Sequence, residues 1–289
     1  MTYNTNTALH HLRYQLKALE QRWQQECRTC GDTVDDRYAD AIPLGIEKVD
    51  QALKGGLLPG ALHEAWTAST VEMPALSGFG GAIAQLLHTR LKQPIIWVRQ
   101  SKAETEAGLL YAPGLISFGL DPDQLITVRT KTFAELLAAG LEAARCNAVA
   151  AAVIEAWDNQ GTLDLTAARR LSLAVEKSGA TAIILRVCPT PPPSSAITRW
   201  HIASAPSQSL AANAPGYPAF DITLQRNRNG HAGQCWRVEW NHDDKCLQQA
   251  KPLSRSGISV SERGSSEAGD RHAVQRHHQF YGQRARMSG

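Results

Sequence analysis

Residues 61–91, ALHEAWTASTVEMPALSGFGGAIAQLLHTRL, contain the stretch that decides the fold. Residues 61–66 predict a strand. Residues 81–91 predict a helix in which Ile83, Leu86 and Leu87 share one side. We expect the residues between them to form a loop, with the helix starting near Gly80. A strand that leads through a loop into a helix is typical of an α/β domain.

Downstream of this unit, short apolar strands alternate with helices. The alternation predicts a mainly parallel sheet that is flanked by helices on both faces. Beyond the proline-rich stretch 189–193, the strands are expected to form an antiparallel C-terminal extension. The predicted strands are 95–98, 124–128, 148–154, 181–187, 200–205, 220–225 and 235–240, and the remaining predicted helices are 46–53, 104–118, 132–145 and 164–178.

Residues 8–25 predict a separate N-terminal helix with a narrow apolar stripe. Its residues are alternately three and four positions apart in sequence: Leu9, Leu12, Leu16, Leu19 and Trp23. Such a stripe can dock on another protein, which makes Leu12, Leu16, Leu19 and Trp23 candidates for partner binding. Packing against the protein's own domain is the alternative interpretation.

The composition divides the chain into three parts. Residues 1–40 contain the N-terminal helix and a polar linker, residues 41–248 form the α/β domain, and residues 249–289 form a tail. Residues 250–289 hold seven Lys or Arg against three Asp or Glu, in a chain whose formal net charge is +3. Because the tail has few apolar residues, we predict that it is basic and disordered.

Several classes of protein are excluded by composition. No run of about 18 apolar residues occurs, which argues against a membrane-spanning helix. The polar N-terminus lacks the apolar core of a secretion signal, so we expect a cytoplasmic protein. Cys27 and Cys30 form a lone CxxC pair without a second pair at zinc-binding spacing, and we therefore predict no metal site.

The predicted loop stands where a P-loop would bind phosphate. A P-loop wraps phosphates with backbone N–H groups at a helix N-terminus, its lysine reaches the outer phosphates, and the next hydroxyl binds magnesium. If Ser77-Gly78 fills the usual Ser-Gly place, Phe79 replaces the lysine and Gly80 replaces the hydroxyl residue, followed by Gly81. We therefore predict no working P-loop ATPase, no catalytic residue and no cofactor. Anion binding by the glycine backbone alone is the alternative.

Three segments of the chain resemble sequences of a known family. Leu44–Glu64, LGIEKVDQALKGGLLPGALHE, is similar to the beginning of the core of RecA and its relatives. Together with Gly119–Val128, GLDPDQLITV, and Leu224–Trp240, LQRNRNGHAGQCWRVEW, it resembles the ImuA family more closely. The resemblance covers residues 7–245. ImuA proteins are bacterial RecA-like accessory factors of translesion DNA synthesis, related also to SulA, so the resemblance implies a RecA-like core.

The resemblance also implies a function and partners. ImuA is associated with ImuB, a catalytically inactive homologue of Y-family polymerases, and works with an error-prone replicative-type polymerase in damage-induced mutagenesis. These relations imply a non-catalytic adaptor for an ImuB-like protein, for RecA, or for both, in the cytoplasm and at the nucleoid. The alternative is a nucleotide-dependent RecA-like DNA-binding ATPase with a divergent P-loop.

Two further positions bear on the ATPase alternative. In RecA-type ATPases a catalytic glutamate follows the strand at 95–98, whereas Arg99-Gln100-Ser101 stand there in this chain. A carboxylate that holds a magnesium-bound water would end the strand at 148–154, and Glu155 lies there. A solvated acid at the end of a strand is the other interpretation of Glu155. Glu72, in the predicted loop, would repel phosphate, so the balance favours the adaptor.

Arginines near the C-terminal strands are candidates for DNA binding. Arg226 and Arg228 belong to the predicted turn 226–233, and Arg237 follows Trp236 on the next strand. Arginines beside aromatic residues suit contact with the nucleic-acid backbone and stacking on bases. We expect weak, non-specific DNA binding here. A solvated hairpin turn with buried tryptophans is the alternative.

Overall fold

The computed structural model describes residues 5–26, 41–157, 163–210, 212 and 214–250. The predicted linker with Cys27 and Cys30 lies outside these residues, as does the predicted tail from residue 251 onward. The described residues all belong to one compact unit. The N-terminal helix therefore belongs to the same unit as the sheet.

One nine-stranded mixed sheet organises the described residues, in the order β3-β2-β4-β5-β1-β6-β7-β8-β9. The first six strands in this order are parallel, and the last three continue the sheet in antiparallel pairs. This arrangement confirms the predicted mainly parallel sheet with an antiparallel C-terminal extension. The strands are β1 (Leu62–Thr67), β2 (Ile95–Gln100), β3 (Leu125–Thr130), β4 (Ala151–Ala156), β5 (Thr181–Val187), β6 (Thr198–Ser204), β7 (Ala219–Asn227), β8 (Gln234–Asn241) and β9 (Cys246–Gln249).

Helices cover both faces of the parallel part of the sheet. On one face α3 packs over the core that contains Phe79, Leu185 and Trp200, and on the other face α6 and α7 pack over Ile154 and Ile184. In the part of the chain that the structure describes, no helix combines the length and apolar character needed to cross a membrane. The helices are α1 (Thr5–Glu26), α2 (Glu47–Ala52), α3 (Met73–Leu91), α4 (Ser101–Ala107), α5 (Ala112–Ser117), α6 (Phe133–Arg145) and α7 (Leu165–Ser178).

The structure corrects the sequence prediction in two places outside the β1–α3 unit. The stretch 104–118, predicted as mostly helical with an interruption at Pro113, contains two short helices, α4 and α5, and the break lies earlier because Gly108 adopts a φ of +79° and ends α4. The strand β9 was not predicted, since its four residues contain the single buried apolar side chain Leu247. It pairs with β8 and extends the sheet to residue 249.

The Leu44–Glu64 segment is held together by Asp50 and by close backbone contacts. The carboxylate of Asp50 accepts hydrogen bonds from the backbone N–H groups of Leu44 and Gly45, at 2.7 and 3.2 Å. Gly56 has a φ of +138°, and a Cβ there would lie 2.2 Å from the carbonyl oxygen of Ile42. Only glycine fits that position, because the backbone is in the left-handed region and the backbone of Ile42 is too close.

His63 joins β1 to β6 inside the sheet. Its Nε2 lies 2.8 Å from the carbonyl oxygen of Leu58, and its Nδ1 lies 2.7 Å from Oγ1 of Thr198. Because Trp200 Nε1 donates to the same hydroxyl, the neutral ring that donates through Nε2 and accepts at Nδ1 satisfies every partner. Burial lowers the pKa of His63 to about 4, although the bond to Leu58 opposes the shift.

The depressed pKa predicts that His63 makes the fold acid-sensitive. The neutral ring stabilises the fold fully above pH 6.5, and this contribution is lost as pH falls from 6.5 through about 4, since the unfolded chain binds the proton more readily. Between pH 7 and pH 5 the loss should be about 2 kcal/mol. Urea denaturation at both pH values, compared with His63→Gln, should show a smaller pH-dependent loss in the variant. Equal losses in both proteins would contradict the assignment.

Candidate functional site

The connection between β1 and α3 leaves no room for the predicted loop. β1 ends at Thr67, a short 3-10 turn follows at Thr70–Glu72, and α3 begins at Met73. The prediction of a loop up to Gly80 is therefore wrong. Ser77–Gly81, the candidate remnant of a P-loop, lies inside the helix.

Phe79 and its neighbouring glycines serve the packing of α3 on the sheet. Phe79 is buried, with its ring centroid 5.9 Å from that of Trp200. A Cβ on Gly80 would lie 2.6 Å from Cδ1 of Leu185, and one on Gly78 would lie 3.2 Å from the ring of Phe220. Larger residues at these positions would push the helix away from the sheet. The glycines therefore bring the helix close to the strands and do not wrap a phosphate.

The start of α3 is poorly suited to hold an anion. Pro74, in its first turn, has no N–H to donate. Glu72 precedes the helix, and its Oε2 accepts a hydrogen bond of 2.6 Å from the backbone of Ser204. The sequence has no lysine or arginine between Lys54 and Arg90. An anion bound at this helix end would therefore lie close in sequence to the negative charge of Glu72, and this stretch has no basic side chain to neutralise it.

Glu155 lies in a buried ion pair at the end of β4. Its Oε2 is 2.8 Å from Nε of Arg99, and its Oε1 accepts from Nη2 of the same residue at 2.8 Å. Trp97 Nε1 donates to Oε2 at 2.9 Å. Because the carboxylate is fully buried, the interpretation as a solvated acid is wrong. Its two oxygens are engaged by protein donors, so Glu155 fixes β2 to β4 rather than facing a metal-bound water.

The residues at the end of β2 and directly after it are also used within the fold. Gln100 Oε1 accepts a hydrogen bond of 2.9 Å from the backbone N–H of Trp157, and Ser101 Oγ donates to the carbonyl of Thr130 at 3.1 Å. Residues 99–102 contain no acidic side chain. Among the described residues, no group of three or more His, Cys, Asp or Glu side chains is arranged to hold a metal ion.

A second charged cluster was not predicted from the sequence. Glu64 in β1 is fully buried and lies 3.5 Å from Nη1 of Arg186 in β5 and 3.2 Å from Nη2 of Arg199 in β6. Arg186 also donates to the carbonyl of Leu163 at 2.6 Å. The signal was present, because a charged residue inside an apolar strand needs a partner of opposite charge.

The three arginines that were candidates for DNA binding have different surroundings. Arg226 is half-buried and donates through Nη1 to the carbonyl of Ser194 at 2.7 Å. Arg228 is exposed. Arg237 forms two bonds of 2.8 Å with the carboxylate of Asp221 on the neighbouring strand. The structure thus places Arg226 and Arg228 together and leaves Arg237 neutralised at a different point of the sheet.

The apolar stripe of α1 faces the protein's own domain. Leu12 and Leu16 are only 2% and 5% exposed, and they belong to the core cluster on the α6 side of the sheet, where α1 packs against α6. Leu19 is half-buried against the same core, and the side chain of Trp23 lies outside the described residues. Leu12 and Leu16 therefore follow the alternative interpretation, in which the stripe packs within the molecule, and a partner cannot reach them while α1 is docked.

Comparisons with known proteins identify relatives by sequence. No protein-family model matches the chain. The chain is similar to Protein ImuA of two strains of Caulobacter vibrioides, with 32% identity over 241 residues that cover 77% of this chain and 94% of each relative. Among solved structures it is similar to the RadB recombinase, with a TM-score of 0.49 and 14% identity over 73% of this chain and 100% of that one. A structural similarity this low constrains neither fold nor function.

Two neighbouring glycines of α3 test whether this segment is a packed helix. An alanine Cβ at Gly80 would overlap the buried side chain of Leu185, whereas the nearest atom to one at Gly81 is 3.5 Å away, an ordinary contact. Gly81→Ala should stabilise the protein by up to about 1 kcal/mol through helix propensity. Gly80→Ala should be less stable than Gly81→Ala by about 1–3 kcal/mol in urea denaturation. Equal stability of the two variants would contradict the packing described here.

Proposed function

Because the chain belongs to the ImuA family, with 32% identity over 94% of a curated member, we propose that it is a non-catalytic accessory factor of damage-induced translesion DNA synthesis. The observation that carries the proposal is the β1–α3 connection. It offers a proline and a carboxylate where a nucleotide-binding protein needs backbone donors and a cation. No observation favours the ATPase alternative.

In this proposal the protein acts by holding other proteins together. Its partners are an ImuB-like homologue of Y-family polymerases, with RecA and an error-prone replicative-type polymerase as further members of the assembly. A scaffold role is supported by the way the buried charged side chains pair with one another. Glu155, the acid at the end of β4 that could take part in catalysis, instead pairs with Arg99 and joins β4 to β2.

An adaptor needs an exposed contact surface, and the segment from Gly108 to Ser117 offers one. Leu109, Tyr111 and Ile116 are 68%, 72% and 57% exposed within eight residues of sequence. Exposed large apolar side chains that are grouped in this way mark protein contact sites. We name Leu109, Tyr111 and Ile116 the α5 patch and propose that it contacts the polymerase homologue.

The proposed function predicts a specific loss of partner binding. Replacing all three residues of the α5 patch with serine should weaken capture of the co-expressed polymerase homologue at least about tenfold, because truncating central apolar contacts costs about 1–2 kcal/mol each. The fold should persist, since these side chains lie outside the core. Affinity capture followed by titration of the purified partner measures the change.

The matched control removes apolar side chains of similar exposure elsewhere on the surface. Leu165 and Leu173 on α7 are 53% and 50% exposed, and serine at both should leave capture unchanged. Retained binding by the patch variant would reject the patch as the contact. Failure of the unmodified protein to bind the polymerase homologue at all would reject the adaptor function.

A further inference from the structure

Three arginines lie around one buried carboxylate where β5, β1, β6 and β7 are side by side, and a fourth, Arg228, lies next to one of them. Glu64 is shared by Arg186 and Arg199, as described above. Arg226 stands opposite Arg199 across the β6–β7 pair, and Arg228 follows two residues later. Positive charge therefore exceeds negative charge at this place, which we call the arginine cluster.

A β-bulge directs β7 towards the arginine cluster. The β6–β7 register shifts by one residue between Arg199 and Trp200, so that Gln225 is an extra residue on β7. Bulges recur where a sheet must re-aim a side chain. Here the residue after Gln225 is Arg226, which reaches the carbonyl of Ser194 in the segment that joins β5 to β6.

The segment 188–197, between β5 and β6, closes one side of the cluster. Arg199 Nη2 donates to the carbonyl of Pro192 at 2.6 Å, and the backbone N–H of Arg228 donates to the carbonyl of Ile197 at 2.9 Å. These bonds, together with that of Arg226, tie the proline-rich segment to the sheet. The cluster is thus held in a fixed geometry before any ligand arrives.

Arg226 and Arg228 keep hydrogen-bond donors for a ligand. A guanidinium carries five N–H donors. Arg226 donates one of these to Ser194, and the exposed Arg228 side chain makes no hydrogen bond or ion pair with any residue that the structure describes. The pKa of Arg226 is lowered by burial and then by the charges of Arg228 and Arg199, while Glu64 opposes the shift. An anion bound here would relieve this repulsion.

Arg237 lacks these properties although it belongs to the adjacent strand. Both bonds of its guanidinium fork go to Asp221, so the pair carries no net charge. The tryptophan side chains near the cluster are inaccessible to a ligand, since Trp66 is buried and Trp200 lies in the core. The cluster can therefore bind charge but offers no stacking surface for bases.

We propose that Arg226 and Arg228, supported by Arg199, bind phosphate groups of a nucleic-acid backbone. Arginine matches phosphate geometry through paired N–H donors. Because contacts of this kind do not read base edges, the binding is independent of sequence. This site goes beyond the adaptor function, which requires protein partners only. It would bring the assembly into direct contact with the DNA on which the polymerases act.

The test uses the full-length protein with a fluorescently labelled thymidine oligonucleotide, over a series of salt concentrations. Arg228→Gln should weaken binding about tenfold, the value expected for losing a charge-assisted hydrogen bond. It should also reduce the slope of log K against log salt by about 0.7, the value for one phosphate contact to a single strand. The exposed Arg169→Gln on α7 is the control of equal charge change and should alter neither quantity.

A second variant, Arg226→Lys, keeps the charge but loses the fork and should show an intermediate affinity. Unchanged affinity and salt slope in Arg228→Gln would overturn the proposal. It would also be overturned if the oligonucleotide bound no more tightly than inorganic phosphate, which would indicate an isolated anion site. Because Arg228 follows the end of β7 opposite to Phe220, which lies with Phe118 beside Gly78, the variant should still capture the polymerase homologue. This result is thereby separated from a failure of the adaptor function.

Discussion

The close approach of α3 to the sheet is the constraint on which the rest of the structure depends. Gly80 lets the helix lie directly against Leu185, and Phe79 fills the space beside Trp200. A helix that lies this close and begins at Met73 is connected to β1 by five residues only. The phosphate-wrapping loop and the packed helix compete for the same residues of the chain, and here the packing of the helix has prevailed.

Charged groups in the centre of the sheet are also used for packing between strands. Glu155 with Arg99, and Glu64 with Arg186 and Arg199, join neighbouring strands by buried ion pairs. Removing one partner of such a pair costs about 3–5 kcal/mol, because the other charge stays buried. These residues are thereby committed to holding the strands in register. The two surfaces proposed above for binding, the α5 patch and the arginine cluster, lie outside these strand-to-strand ion pairs or keep exposed side chains beside them.

Much of this architecture could be predicted from the sequence. The alternation of apolar strands and helices was sufficient for the parallel sheet, and the stripe of α1 was sufficient for its helical state. The start of α3 could not be predicted, because Ser77–Gly81 has the composition of a loop. Its helical state depends on a neighbour, Leu185, that lies more than a hundred residues away in sequence. Tertiary packing overrode local propensity here.

The candidate site was less predictable for a similar reason. Glu155 was noticed as a strand-end acid, but its partner Arg99 becomes apparent only when β2 and β4 are paired in the observed register. Arg226 and Arg228 were found as basic residues in a turn, whereas the contribution of Arg199 depends on the bulge between β6 and β7. The apolar stripe of α1 showed that one face is buried, and it did not show against which surface.

We propose that this member of the ImuA family binds no nucleotide at the start of α3. Calorimetric titration of the full-length protein with magnesium and ATP tests the claim most directly. The account predicts no binding tighter than millimolar, because the start of α3 lacks both a basic side chain and the donor that Pro74 cannot supply. A dissociation constant in the micromolar range would contradict it.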